Sequence, residues 1–189
     1  MILSDFTARP LVLQELAPVT GKHVLDLGCG EGYTARLVAQ AGAESVFGID
    51  ISIEMIEGAR QAAASGAPCP MTFETGNATT FQDFPRKEFD RVIAVFMVSY
   101  LSCAEMTTAF RTVRSYDGYI WRRDGKAVPV SYMHKTFADY FNALDAAGFQ
   151  TLPKIFELKV SEDHLALDRA FFEGAIGYPL QVLFRIDAQ

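Results

Sequence analysis

HVLDLGCGEGY occupies residues 23–33, and FGID follows at residues 47–50. The first run is apolar and partly β-branched, with Gly21-Lys22 before it and glycines after it, which is the pattern of a buried strand. Helical spacing follows through Tyr33, Leu37, Val38 and Ala41, with Gly42 placed to end that helix in a left-handed conformation. SVFGID, residues 45–50, is the next short strand. Ser52 then caps a helix whose apolar residues are Met55, Ile56, Ala59 and Ala63. A third strand begins MTFETGNA (71–78), and FDRVIAVF (89–96) reads as a fourth. Ser102 and Glu105 form a capping box ahead of a helix carrying Met106, Phe110 and Val113 inward. Strand and helix thus alternate through the first 114 residues. That alternation predicts an α/β fold of the doubly wound, Rossmann-like kind, a mostly parallel sheet with helices on both faces.

Outward from this core the pattern is looser. Before it, a helix is expected over Leu11–Leu16, stopped by Pro18. After it, GYIWRR and KAVPVSYM flank Asp124-Gly125, a strong hairpin signal. Thr136 and Asp139 open a helix with Phe137, Tyr140, Phe141 and Leu144 on one side, ended by Gly148. IFELKV and QVLFRID are two late strands, separated by an amphipathic stretch around Leu165–Gly174. One domain over residues 1–189 is expected.

The 189 residues carry 17 basic and 23 acidic side chains, a net charge of −6, and half of them are hydrophobic. A surplus of negative charge is a poor match to nucleic acid, whose binding rests on neutralising phosphates, so a nucleic-acid partner is not expected. The N-terminal stretch lacks the basic-then-apolar order of a signal peptide, and no run reaches membrane-spanning length. Cys29, Cys69 and Cys103 are odd in number and lack metal-ligand spacing, so reduced thiols, a cytoplasmic location and no metal are expected. Cys29 reads as a small residue filling a tight turn.

The chemistry lies where the strand ends in glycines. Glycines let the backbone turn sharply and approach a ligand, and the helix that follows aims free N–H groups and its positive dipole end at the same place. Asp50, at the end of the next strand, can accept both hydroxyls of a ribose. The two strand ends meet at the topological switch point, where open α/β sheets bind ligands. The spacing Gly28-x-Gly30-x-Gly32 differs from the G-x-G-x-x-G of a dinucleotide fingerprint. Asp26, just before the glycines, suits an ammonium group and would repel a pyrophosphate. The implied ligand has a nucleoside at one end and a cationic amino acid at the other.

From Val24 to about Leu101 the sequence resembles the class I S-adenosylmethionine-dependent methyltransferases, of the type 11 or 12 kind that act on small molecules. Asp26, Gly28, Gly30 and Gly32 match that family's first motif and Asp50 its second. GNA at Gly76–Ala78 matches the third, and FDRVIAVFMVSYL resembles the fourth-strand motif. The resemblance implies S-adenosylmethionine as cofactor and S-adenosylhomocysteine as product. It implies cofactor contacts at Asp26, Gly28, Gly30, Gly32, Tyr33, Asp50, Ile51, Met55, Asn77, Ala78, Phe96 and Met97, with Asn77 at the adenine amine and Phe96 and Met97 near the methionine. Tyr100 stands where relatives often have His. Residues 1–114 are then the cofactor-binding half, and residues 115–189 face the substrate and complete the sheet.

The family's fifth strand, a central one, is not legible after Arg114: the chain runs from FRTVR straight into SYDGYIW. Either the hairpin at Asp124-Gly125 replaces that strand or residues are missing between Arg114 and Ser115, and the second reading is favoured. The chain also starts closer to the first strand than many relatives, which often carry an additional lid segment there, so a missing lid is a further expectation.

Methyl transfer from a sulfonium is an in-line displacement that needs alignment and exclusion of water, with a base only where the acceptor loses a proton. His134 and Tyr100 are the expected catalytic residues, with Asp168 and Glu173 more remote candidates. The aromatic-rich C-terminal part suits a small aromatic or heterocyclic acceptor. The alternative is a catalytically inactive binder of the same cofactor, a sensor or partner subunit. Oligomeric state is not legible in the sequence.

Overall fold

The computed structural model describes residues 8–85, 89–113, 136–166, 169–177 and 179–186. Helix α1 (Ala8–Leu16) leads into β1 (His23–Leu27), α2 (Tyr33–Gln40), β2 (Ser45–Asp50), α3 (Ile53–Ala64) and β3 (Met71–Thr75). Strand β4 (Arg91–Ile93) and α4 (Cys103–Val113) follow. Then come α5 (Phe137–Ala147), β5 (Lys154–Lys159), the single-turn helices α6 (Glu162–Leu165) and α7 (Arg169–Phe172), and β6 (Pro179–Arg185).

Four strands form one parallel sheet in the order β3-β2-β1-β4. Every β1 residue except His23, and every β2 residue from Val46 to Ile49, is buried, as strands covered on both faces must be. Side chains alternate between two cores. Val24, Val46, Phe73 and Ile93 face Val12 and Leu16 of α1, Val38 of α2 and Ile56 of α3. Leu25, Leu27, Phe47, Ile49 and Val92 face the other way, onto Phe81, Phe84 and Phe89. These rings meet Phe47 and one another at 5.0–6.3 Å between centroids, so an aromatic layer stands between β3 and β4 where a helix is the usual cover. Met97 packs against this layer and against the α4–α5 core of Val98, Met106, Phe110 and Leu144, which joins the two.

Several local expectations are met. Ser52 Oγ accepts the Met55 N–H, Ser102 and Glu105 close their capping box, and Thr136 and Asp139 close theirs. Gly42 and Gly148 take the positive φ of helix ends. The late strands are present as β5 and β6, but they pair antiparallel in a separate two-stranded sheet. Leu183 of β6 reaches the α1 side of the core, and Arg185 lies 3.6 Å from Glu15 of α1. Between them, Phe184 stacks on Tyr140 of α5 at 5.1 Å. Helices α1, α2 and α3 thus cover one face of the sheet, and the aromatic layer, joined through Met97 to the α4–α5 core, covers the other. Among the described residues no strand pairs with the outer edge of β4. The Asp124-Gly125 hairpin and the Arg114–Ser115 junction lie outside the described residues.

Strand β4 is shorter than the sequence suggests. It ends at Ile93 rather than Phe96, and Phe96 has φ +68°, the one non-glycine with positive φ among the described residues. A bulky side chain in that region costs about 1–3 kcal/mol, held here by packing of Phe96 against the α1-side core. The bend swings Met97 back under the glycine loop.

Candidate functional site

The carboxyl ends of β1, β2, β3 and β4 meet at one edge of the sheet. Backbone bonds tie them: Cys29 N–H donates to Ile49 O and Gly76 N–H to Asp50 O, both at 2.9 Å. The three loop glycines all have positive φ, between +54° and +69°, which a side chain adopts only at a cost. Their surroundings differ. A Cβ on Gly28 would lie 2.7 Å from Met97 Cβ, and one on Gly32 would lie 2.8 Å from Phe73 Cζ. A Cβ on Gly30 would meet nothing within 4 Å. Gly28 and Gly32 therefore serve packing, and Gly30 presents open space. Gly32 also begins α2 with no side-chain cap, its own N–H donates to Cys29 O, and in the first turn the Ala35 N–H is turned to Asp26.

Asp50 is held in place before any ligand arrives. Its Oδ2 accepts the Gly30 N–H and its Oδ1 accepts the Ser52 N–H, each at 2.9 Å. Each carboxylate oxygen keeps a second lone pair, enough for the two hydroxyls of a ribose. Beside it, Ile51 is 72% exposed and Met55 42%, an apolar surface next to a polar anchor.

Asp26 is the reverse case. It is 1% exposed, and its Oδ2 has no hydrogen-bond partner among the described residues. Burial and the negative charge of Asp50 push its pKa up to about 8, against which the backbone N–H of Ala35 is a smaller, opposing influence. A buried polar oxygen left open is expensive unless a ligand completes it. The same burial, together with Asp26 and Asp50, pushes the Cys29 thiol up strongly, so it stays a thiol. Cys29 Sγ would lie 2.9 Å from a Cβ on Gly48, which fits the expected small residue in a tight turn.

Asn77 is partly committed. Its Oδ1 accepts both the N–H and the hydroxyl of Thr79, at 2.9 and 2.8 Å. The backbone N–H of Thr79 can only donate, which fixes Oδ1 on that side and leaves Nδ2 outward. Ala78 is buried against the aromatic layer, so its side chain packs there. Met97 likewise packs beneath Gly28. Tyr100 lies on a short 3₁₀ turn, Val98–Tyr100, and is 46% exposed. Glu173 stands apart: it is two-thirds exposed and pairs with Arg169 at 3.5 Å, a surface i,i+4 pair. His134 and Asp168 lie outside the described residues.

One residue escaped the sequence reading. Arg9, in the first turn of α1, is 5% exposed, and its guanidinium sits 4.0 Å from the centre of the Tyr33 ring. A cation is thereby brought to the start of α2, where the glycine loop ends. The only sequence signal was an Arg ahead of the apolar run Leu11–Leu13, 17 residues before Asp26. Among the described residues no group of three or more His, Cys, Asp and Glu could hold a metal. No described helix is long and apolar enough to cross a membrane.

Comparison with known proteins agrees with this geometry. A family model described as a methyltransferase domain matches residues 24–116. The ubiquinone biosynthesis O-methyltransferase of Neisseria meningitidis serogroup C is 30% identical over 119 residues, which is 62% of this chain and 50% of that protein. The aklanonic acid methyltransferase of a Streptomyces species is 39% identical over 88 residues, 44% of this chain and 39% of that one. The chain thus spans half or less of the length of these relatives. In fold, an S-adenosylmethionine-dependent methyltransferase from Mesorhizobium loti superposes with a TM-score of 0.74 at 23% identity, covering 96% of this chain and 97% of that one. Sheet order, glycine loop and sequence match together make residues 24–116 similar to a methyltransferase domain, on a chain whose fold is that of the class I, S-adenosylmethionine-dependent methyltransferases.

Proposed function

We propose that the protein transfers the methyl group of S-adenosylmethionine to a small aromatic or heterocyclic acceptor. The observation that carries this is the open side of Gly30, set between the buried free oxygen of Asp26 and the prepositioned carboxylate of Asp50. By their names, the two relatives are an O-methyltransferase of ubiquinone biosynthesis and a methyltransferase of aklanonic acid, which supports a small-molecule acceptor.

Bound S-adenosylmethionine supplies an electrophilic methyl on a sulfonium. The residues hold and orient it. Asp50 takes the ribose hydroxyls. Ile51 and Met55 cover one face of the adenine, and the outward Nδ2 of Asn77 donates to a ring nitrogen, since its oxygen is already used by Thr79. Asp26 would take the ammonium of the amino-acid end, and Arg9, stacked on Tyr33, its carboxylate. Tyr100 borders the methyl, and His134 serves as base where the acceptor loses a proton. Residues 1–114 form the cofactor-binding half and residues 115–189 the acceptor-facing half of one domain.

The test is methyl release from labelled S-adenosylmethionine to a panel of phenols, catechols and heterocycles, run with Arg9→Gln alongside. Turnover of at least one acceptor is expected, with the variant's cofactor KM raised about tenfold for a lost charged hydrogen bond. S-adenosylhomocysteine binding without turnover of any acceptor would defeat the enzyme reading and leave a cofactor binder.

A further inference from the structure

We infer that binding of the cofactor's amino-acid end drives a proton off Asp26 into solvent, so that cofactor affinity in this protein is linked to pH. The inference rests on the cofactor site proposed above and concerns what that site must do electrostatically.

Asp26 lies in β1 with both neighbouring strands packed against it, and is 1% exposed. One carboxyl group there has a backbone donor from Ala35 and an oxygen with no partner among the described residues. The titratable groups that face it are Asp50, at the end of β2, and Cys29 in the loop. Cys29 is a neutral thiol, and Asp50 is negative, so neither offsets a charge on Asp26. Asp50 is itself held by two N–H donors, those of Gly30 and Ser52, whereas the free oxygen of Asp26 has none. Arg9 of α1 has its guanidinium over the ring of Tyr33. Without a ligand, Asp26 therefore keeps its proton at neutral pH, in line with a pKa pushed up to about 8. An ammonium against the free oxygen reverses the balance: the carboxylate becomes the favoured form. The step balances as a carboxylic acid plus an ammonium giving a carboxylate–ammonium pair plus one proton, which the buffer takes up. The cofactor's own amino group enters already charged below about pH 7.5.

The experiment is calorimetric titration of the whole chain with S-adenosylhomocysteine at pH 6–7, in two buffers of contrasting protonation enthalpy. Release of close to one proton per site is expected, with affinity rising about tenfold per pH unit in this range and levelling off near pH 8. 5′-Methylthioadenosine, which has the nucleoside but no ammonium, is expected to bind with no proton release. Asp26→Asn is expected to weaken S-adenosylhomocysteine binding and to abolish the release in whatever binding remains. Binding with no proton exchange would overturn the linkage and leave the cofactor site standing. Proton release with 5′-methylthioadenosine would also overturn it, since the proton would come from elsewhere. Failure of S-adenosylhomocysteine to bind anywhere from pH 6 to 9 would overturn both readings. The wild-type titration decides the matter even if the variant does not fold.

Discussion

The carboxylate of Asp50 accepts the backbone N–H of Gly30 at 2.9 Å, so the acidic end of β2 and the glycine loop after β1 form one rigid unit. Its second oxygen is held at the same distance by Ser52. The acid that is proposed to grip the ribose also shapes the loop that makes room for it.

Asp50→Ala should therefore do more than remove a ligand contact. Loss of charge-assisted hydrogen bonds worth about 1.5–3 kcal/mol each should weaken S-adenosylhomocysteine binding by ten- to a hundredfold or more. Protection of the Gly30 amide from hydrogen exchange should fall in the same variant. An unchanged dissociation constant would show that the ribose is not held here.

The loop glycines should separate into two kinds. Gly28→Ala drives a Cβ to 2.7 Å from Met97 Cβ at φ +68°, so about 2–4 kcal/mol of stability should be lost in urea unfolding. Gly30→Ala meets no neighbour and should cost only about 1–2 kcal/mol, from φ alone. The Gly30 variant should still fail to bind cofactor, because the added methyl fills the open side. Equal stability losses at the two sites would contradict the packing described.

Asp26→Asn gives a pH-dependent stability difference without any ligand. The pKa of Asp26 is raised to about 8 in the folded protein, from 3.8 for an exposed aspartate. Between those values the folded state binds more protons than the unfolded one, so this group lowers stability as pH rises from about 4 to 8, with no further loss above. Asparagine stays neutral throughout. The variant should melt near wild type at pH 5 and clearly above it at pH 8.5, as followed by circular dichroism. A constant difference across that range would mean that Asp26 does not titrate there.

Much of this was legible in the chain itself. The apolar run at residues 23–27, the glycines after it, Gly42 at the end of α2 and the capping pairs at Ser52, Ser102 and Thr136 all express local preferences, and each is found where its residue types require. Other features were hidden. The end of β4 at Ile93 depends on Phe96 being forced to positive φ by packing, against its own preference. The aromatic cover of Phe81, Phe84 and Phe89 replaces a helix through contacts with Phe47, more than 30 residues earlier.

By itself, then, the sequence determined the alternating strands and helices, the glycine turn and the acidic strand end, because backbone conformation and side-chain period are set within a few residues. Only the tertiary structure decided which glycine faces open space, which acid is pinned and which is left with a bare oxygen, and that Arg9 reaches Tyr33. Those properties depend on what lies across the fold: Met97 under Gly28, Gly30 against Asp50, and a burial around Asp26 that no neighbouring residue in the chain can supply.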